Sequence, residues 1–323
     1  MKAVLRTQYG FPEVLNIGEI PVPQPRFNEL LIKVYATTVS RTDCGILRGR
    51  PALIQAFTGL GRPKDATPGT DFAGVVEEVG TGVTAFKRGD KVWGFDDNGL
   101  SSQAEYMVIR EDKAIFPIPD GFSFAQAVAC AEGAHYAVNF INKVPLFMDH
   151  NVMVNGGTGA IGSAAVQLLK ARGMHVTATA PSEHLTTVKT LGADRVIDYQ
   201  KEDFTKDHEL YDFVFDAVGK SSFAQCKPIL KPNGTYISSE LGPHSENPFL
   251  ALVSPFTSGK KVKFPLPANI KGSLTIVLDL MKKGKFKPLI DRKYTLEDIR
   301  EAYTYVLSGQ KTGNVILQIT SDD

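Results

Sequence analysis

The part of this chain best suited to chemistry is bare backbone, the segment Asn155-Gly156-Gly157-Thr158-Gly159-Ala160-Ile161-Gly162. Glycines at this spacing give a tight turn at Gly157, close approach of backbone to a ligand at Gly159, and close helix packing at Gly162. The free N–H groups of the helix that follows then face a phosphate. The spacing predicts a pyrophosphate cradle made by Gly156, Gly157, Thr158, Gly159, Ala160 and Ile161. A second position bears on the same ligand. Sites selective for NAD carry an acid at the end of the second strand, about 20 residues past the glycines. Here that end reads Thr179-Ala180-Pro181-Ser182, with no carboxylate, and Ser182 is suited to hydrogen-bonding a 2′-phosphate. NADP(H) is the expected cofactor; Glu183, one residue further on, leaves NAD(H) open.

Such a cradle needs a strand, a helix and a second strand to hold it, and the flanks supply them. Val152-Met153-Val154 is a short apolar run. Ile161, Ala164, Ala165, Leu168 and Leu169 form one stripe at helical spacing, Gly173 stands where a helix cap is expected, and His175–Ala180 reads as the next strand. Beyond it, helices at 183–191 and 222–230 alternate with strands at 195–197, 213–216, 235–238 and 262–264. Alternation of this kind implies right-handed crossovers and a parallel, doubly wound sheet. Residues 124–142 read as helix and 243–261 as a long loop with one helical turn. The first 120 residues read instead as short strands and turns, among them Glu29–Ala36, Phe72–Val79 and Lys91–Phe95. Helices at 273–283 and 296–308 precede a last alternating strand, 315–319, with no place in the nucleotide sheet. The fold class is therefore α/β: a doubly wound parallel sheet inserted into a mostly-β, partly open barrel-like domain. The catalytic domain is expected at 1–121 and 267–323, and the dinucleotide-binding domain at 122–266.

Composition bounds the partners. With 36 Lys and Arg against 35 Asp and Glu, the net charge of +1 gives no field to draw in nucleic acid or an anionic membrane. Three widely spaced cysteines, Cys44, Cys130 and Cys226, fit a reducing compartment better than a disulfide framework. No run approaches about 18 apolar residues, and no signal-peptide core follows the first strand, so the expected location is the cytoplasm.

Several motifs together carry a resemblance. They are Pro68-Gly69-Thr70-Asp71-Phe72-Ala73-Gly74-Val75-Val76, Phe86-Lys87-Arg88-Gly89-Asp90-Lys91-Val92, the glycine turn, Leu191-Gly192-Ala193-Asp194, Val196-Ile197-Asp198-Tyr199 and Gly313-Asn314-Val315. Over nearly its whole length the chain resembles the zinc-free medium-chain dehydrogenase/reductases of the quinone oxidoreductase type. Their zinc-dependent relatives use a Cys, a His-Glu pair and a later Cys; the matching positions here hold Ser40, Thr70-Asp71 and about Ala131, with Cys130 beside it. Catalytic zinc wants three N, S or O ligands, so no metal is expected. Without a Lewis acid the oxidation of an alcohol is hard. Reduction of an enone or quinone is easier, because hydrogen bonds can hold the developing oxyanion.

The resemblance also implies site residues. His184 and Tyr199 fall where relatives contact a 2′-phosphate, and Val218 completes the cofactor set. Ser40 and Asp43 match a polar pair near the nicotinamide: Ser40 could donate a hydrogen bond to substrate, and Asp43 could orient a neighbour or cap the helical turn after it. Glu132 and His135 fall where relatives line the nicotinamide pocket, and His135 could shuttle a proton at neutral pH or be a packed histidine. Asp71 could hold loops together. Arg48, Arg50, Arg62 and Lys64 could meet an anionic group or solvate a loop. The expected function is NADPH-dependent, zinc-independent reduction of a small quinone or α,β-unsaturated carbonyl. The alternatives are a zinc-free alcohol dehydrogenase and a non-catalytic NADPH-binding protein. The family often forms homodimers, which is the expectation here.

Overall fold

The structure, a computed structural model, describes residues 1–321. The chain divides into two compact units: Gly133–Asn269 with Asp279–Leu289, and Met1–Glu132 with Ile270–Leu278 and the residues from Ile290 onward.

The first of these is built on a six-stranded sheet, all parallel. Across it lie Arg195–Asp198, His175–Ala180, Asn151–Asn155, Tyr211–Asp216, Leu230–Ser238 and Lys261–Lys263. Numbered along the chain, that order is 3-2-1-4-5-6, the doubly wound arrangement of dinucleotide-binding domains. It arises because the strands are apolar on both faces. Val152, Met153 and Val154 are all 0% exposed, so no side of the strand can meet water and helices must cover both. Met153, Val214, Tyr236 and Val262 form a common core with Cys226 and Ile229. The strand order reverses beside Asn151–Asn155, where such sheets take their ligands.

Three expected elements come out differently. The helix expected over 124–142 is two helices, Phe124–Val128 and Glu132–Ile141. Ser123 opens the first with a reciprocal cap to Gln126, and the second starts anew at Glu132. The helix expected over 222–230 stops at Cys226 and passes through a tight turn, and the strand begins at Leu230, ahead of Pro232. The stretch 243–261 holds a full helix, Glu246–Val253. Its exposed face carries Phe249 and Leu252 at 65% and 70% exposure, which hides the amphipathic pattern from a sequence reading.

The other unit is mostly β. Its central strand, Glu29–Val39, pairs along one edge with Asp71–Val79. Along the other edge it pairs first with Tyr106–Arg110 and then with Asn314–Gln318. Lys91–Phe95, Ile115–Pro117 and Ile290–Thr295 extend the sheet, which does not close. The chain's last strand thus pairs with Glu29–Val39, from its N-terminal region. Leu30, Ile32, Val34, Phe72, Val76 and Val92 fill the interior of this sheet. A second core forms where the helices Arg41–Arg48 and Ile299–Leu307 bring Leu47, Tyr303 and Val306 onto Val315 and Leu317.

The units part at residues other than 121/122 and 266/267. Helix Phe124–Val128 lies on the strands of the mostly-β unit, with Phe124 stacked on Tyr35 at 4.3 Å. Residues 279–289 go with the nucleotide sheet because Lys287 exchanges two backbone hydrogen bonds with the Gln167 side chain, at 2.8 and 2.9 Å. Among the described residues no helix is long and apolar enough to cross a membrane.

Candidate functional site

Strand Asn151–Asn155 ends in a turn that only glycine can make. Gly156, rather than Gly157, takes the left-handed conformation, with φ of +89°. Its N–H donates to Thr179 Oγ1 at 2.8 Å, and Gly157 N–H donates to the Thr179 carbonyl at 2.8 Å. A Cβ on Gly162 would stand 2.0 Å from the Gly156 carbonyl oxygen, so that glycine is what lets helix Ala160–Lys170 seat against the turn. Gly159 differs: a Cβ there would meet nothing closer than 3.4 Å. The space in front of Gly159 is therefore open, as close approach of a ligand requires.

Gly159 is the N-cap of an 11-residue helix and has no side chain to cap it. The first helical bond runs from Ser163 N–H to the Gly159 carbonyl at 2.8 Å. The N–H groups of Ala160, Ile161 and Gly162 precede that bond and have no acceptor in the helix. Thr158, Gly159, Ala160 and Ile161 are half-buried in an otherwise buried surround. Uncapped donors, the positive end of the helix dipole and a cradle that a Cβ would fill together suit a pyrophosphate.

A buried chain of hydrogen bonds fixes this turn from beneath. Thr179 Oγ1 donates to Asn155 Oδ1 at 2.9 Å, and Asn155 Nδ2 donates to Asp216 Oδ1 at 3.0 Å. Asp216, at the end of the fourth strand, also accepts from Gly219 N–H at 3.0 Å, Ser221 Oγ at 3.0 Å and Tyr236 Oη at 2.9 Å. It thereby holds the following loop so that Val218 packs against Gly156, whose added Cβ would meet Val218 Cγ1 at 2.3 Å. Asn155, Thr179 and Asp216 are absent from the residues picked from sequence. The available signal was an acid closing an apolar strand, Phe213-Val214-Phe215-Asp216.

The corner after strand His175–Ala180 departs from expectation. Ser182 Oγ donates to Asp198 Oδ2 at 2.5 Å, and Ser182 N–H donates to Gln200 Oε1 at 3.2 Å. The Ser182 hydroxyl has one proton, and it is spent on Asp198. In this arrangement the Ser182 hydroxyl is turned to Asp198. The Ser182 hydrogen bond, with a second from Gln200 N–H, holds the Asp198 carboxyl below the usual carboxylate range, so it is ionised. Lys201 Nζ lies 3.2 Å from Asp198 Oδ2. Tyr199 is 50% exposed beside it, and His184 is half-buried at the start of helix Leu185–Thr190.

In the mostly-β unit, Ser40 and Asp43 form a reciprocal cap on helix Arg41–Arg48. Asp43 N–H donates to Ser40 Oγ at 3.0 Å and Ser40 N–H to Asp43 Oδ2 at 2.9 Å. Both are buried, and Asp43 Oδ1 has no hydrogen-bond partner among the described residues. Burial drives the Asp43 carboxyl well above the usual carboxylate range, and Glu132 and Asp71 add to the shift. Burial also raises Glu132, against hydrogen bonds from Thr42 and Ser40. Asp71 is pushed up to about 7 by burial, though Thr38 N–H, Thr38 Oγ1 and Thr37 Oγ1 all donate to its carboxyl. Lys311, which faces Glu132, is lowered by burial. His135 lies in the other unit, 0% exposed. Burial brings it down to about 4, so the ring is neutral at pH 7 and holds no imidazolium proton.

The donors at the zinc-like positions do not suit that metal. Ser40 Oγ is engaged in the cap, and the neighbouring Cys130 thiol is pushed well up by burial and donates to the Gln126 carbonyl at 3.2 Å. No group of three or more His, Cys, Asp or Glu assembles as ligands among the described residues.

Residues 26–120 match the family described as Alcohol dehydrogenase GroES-like domain, and residues 191–317 match Zinc-binding dehydrogenase. A chloroplast envelope quinone oxidoreductase homolog of Arabidopsis thaliana is 33% identical, covering 98% of each chain. An NADPH-dependent alkenal/one oxidoreductase from the same plant is 30% identical over 98% of this chain and 79% of its own. The solved quinone oxidoreductase from Coxiella burnetii superposes with a TM-score of 0.85 at 26% identity, covering 99% of each chain.

Proposed function

The chain belongs to the medium-chain dehydrogenase/reductase superfamily, among its quinone oxidoreductase-like members, and from that premise we propose that it uses NADPH, without zinc, to reduce a quinone or an α,β-unsaturated carbonyl. As a member of that group it is an NAD(P)H-dependent oxidoreductase. The observation that carries the reading is the uncapped helix N-terminus at Gly159 above the left-handed turn at Gly156.

Bound nicotinamide would supply the hydride. The chain's own residues would do the rest. The free amides of Ala160, Ile161 and Gly162 would grip the pyrophosphate, with Val218 packed beside the turn. His184, Tyr199 and Lys201 would meet the 2′ side of the adenosine, and the Lys201 ammonium favours NADPH. Ser40 would donate a hydrogen bond to the substrate oxygen by turning its hydroxyl away from Glu132. Asp43, whose carboxyl burial shifts toward the protonated form, would protonate the substrate after hydride arrival, and its partnerless Oδ1 supports that role. His135, neutral and sealed, would shape the site without transferring a proton.

A cytoplasmic location fits three buried thiols outside any disulfide, and the homodimer rests on the family resemblance alone; imaging of a tagged chain and sedimentation test those two points. The functional test is NADPH oxidation against a panel of enones, quinones and primary alcohols, with nucleotide binding measured in parallel. Turnover of enones or quinones is expected. Alcohol oxidation alone, or tight NADPH binding with no turnover of any member, would overturn the proposal.

A further inference from the structure

We infer that Asp198, acting through Ser182, is a specificity-determining residue for the adenosine ribose and works against a 2′-phosphate. The inference deepens the proposed function and rests on its dinucleotide site. Ser182 lies 20 residues past Gly162, at the corner where such sheets read the ribose. Its only proton goes to Asp198 Oδ2 at 2.5 Å, and its N–H goes to Gln200 Oε1 at 3.2 Å. What Ser182 turns toward a ligand is therefore lone pairs. Lone pairs accept from a ribose hydroxyl and have nothing to give a phosphate oxygen.

Asp198 adds charge to that geometry. Its side chain is 7% exposed, and Gln200 N–H donates to its other oxygen at 3.0 Å. The carboxylate is a fixed anion one hydrogen bond from the corner. Lys201, 70% exposed, balances it at 3.2 Å from outside. A 2′-phosphate arriving here meets Lys201 and His184 in its favour, and Asp198 and the proton-spent Ser182 against it. The strand end that looks neutral in sequence thus borrows an acid from the next strand, where Asp198 is in register with Ala180.

Asp198→Asn tests this with little change of shape. The Asn oxygen can still accept from Gln200 N–H, and its amide can donate to Ser182 Oγ, which returns the Ser182 proton to a ligand. Dissociation constants for NADPH and NADH would be measured by fluorescence titration on the full chain, with a thermal melt to show that each variant is folded. The ratio of NADPH to NADH affinity is expected to rise about three- to tenfold, as removing one partly solvated charge beside a phosphate should. Asp198→Ser removes the same charge and should move the ratio the same way. Lys201→Ala should move it the other way. An unchanged ratio, or a shift toward NADH in both Asp198 variants, overturns the inference. If the unaltered chain binds neither nucleotide, the dinucleotide site itself is wrong and this inference falls with it.

Discussion

Two serines in this protein show what a residue's type leaves open. Ser40 and Ser182 each present a hydroxyl suited to donation, yet one is tied into a helix cap beside Glu132 and the other gives its proton to Asp198. The type says that a proton exists; only the neighbours say where it goes. Asp43 and His135 follow the same logic. Burial shifts Asp43 toward its protonated form and holds His135 neutral at pH 7. If Asp43 supplies the substrate proton, Asp43→Asn should lower kcat about 100-fold in steady-state assays while the fold persists, because Asn still accepts from Ser40 N–H. For His135 the folded pKa, about 4, lies below the unfolded value of about 6.5. The unfolded chain therefore binds the extra proton as pH falls from about 6.5 to 4, and stability is lost across that window. That loss should amount to about 3 kcal/mol and should be missing from His135→Gln, as read by denaturant unfolding at several pH values.

At the scale of elements, the turn at Gly156–Gly162 separates structural from ligand-facing glycines. Gly162→Ala would drive a methyl into the Gly156 carbonyl, 2.0 Å away, and should cost about 1–3 kcal/mol or more. Gly159→Ala meets nothing inside 3.4 Å and sits at an ordinary φ of −69°. It should melt near the wild-type temperature yet bind NADPH more weakly by calorimetry, because the methyl enters the phosphate's space. Ser40→Ala removes one half of the cap on helix Arg41–Arg48, an expected loss of about 1 kcal/mol in chemical denaturation. Elements with strong periodicity were legible: Lys91–Phe95 and His175–Ala180 match their expected bounds. Glu246–Val253 was not, because its outward face is apolar. The break between Val128 and Glu132 was also hidden, since an alanine-rich run carries no stop signal.

For the whole molecule, the last strand, Asn314–Gln318, pairs with Glu29–Val39 from the N-terminal region, so the C-terminal segment cannot be read as a separate unit. Loss of strand Asn314–Gln318 would leave the second half of Glu29–Val39 unpaired along one edge. Two bulk measurements bear on the site. Saturating NADPH should raise the melting temperature, because a ligand at about 100 times its Kd adds about 2.7 kcal/mol to the folded state. Treatment with a metal chelator should leave turnover unchanged, since Cys130 is a protonated, buried thiol and Ser40 caps a helix.

The sequence by itself determined the doubly wound sheet, the glycine cradle and the return of the last strand to the first domain. Each is written in periods of two or 3.6, or in glycines that no other residue can replace. Only the tertiary structure decided that Gly156 makes the turn, that Asp216 ties the turn to the Val218 loop, and that Asp198 claims the Ser182 proton. The reason is physical. A strand pattern fixes which face a side chain takes, whereas hydrogen-bond partners and charge states depend on which strands become neighbours, and Asp198 meets Ser182 only because 195–198 lies beside 175–180.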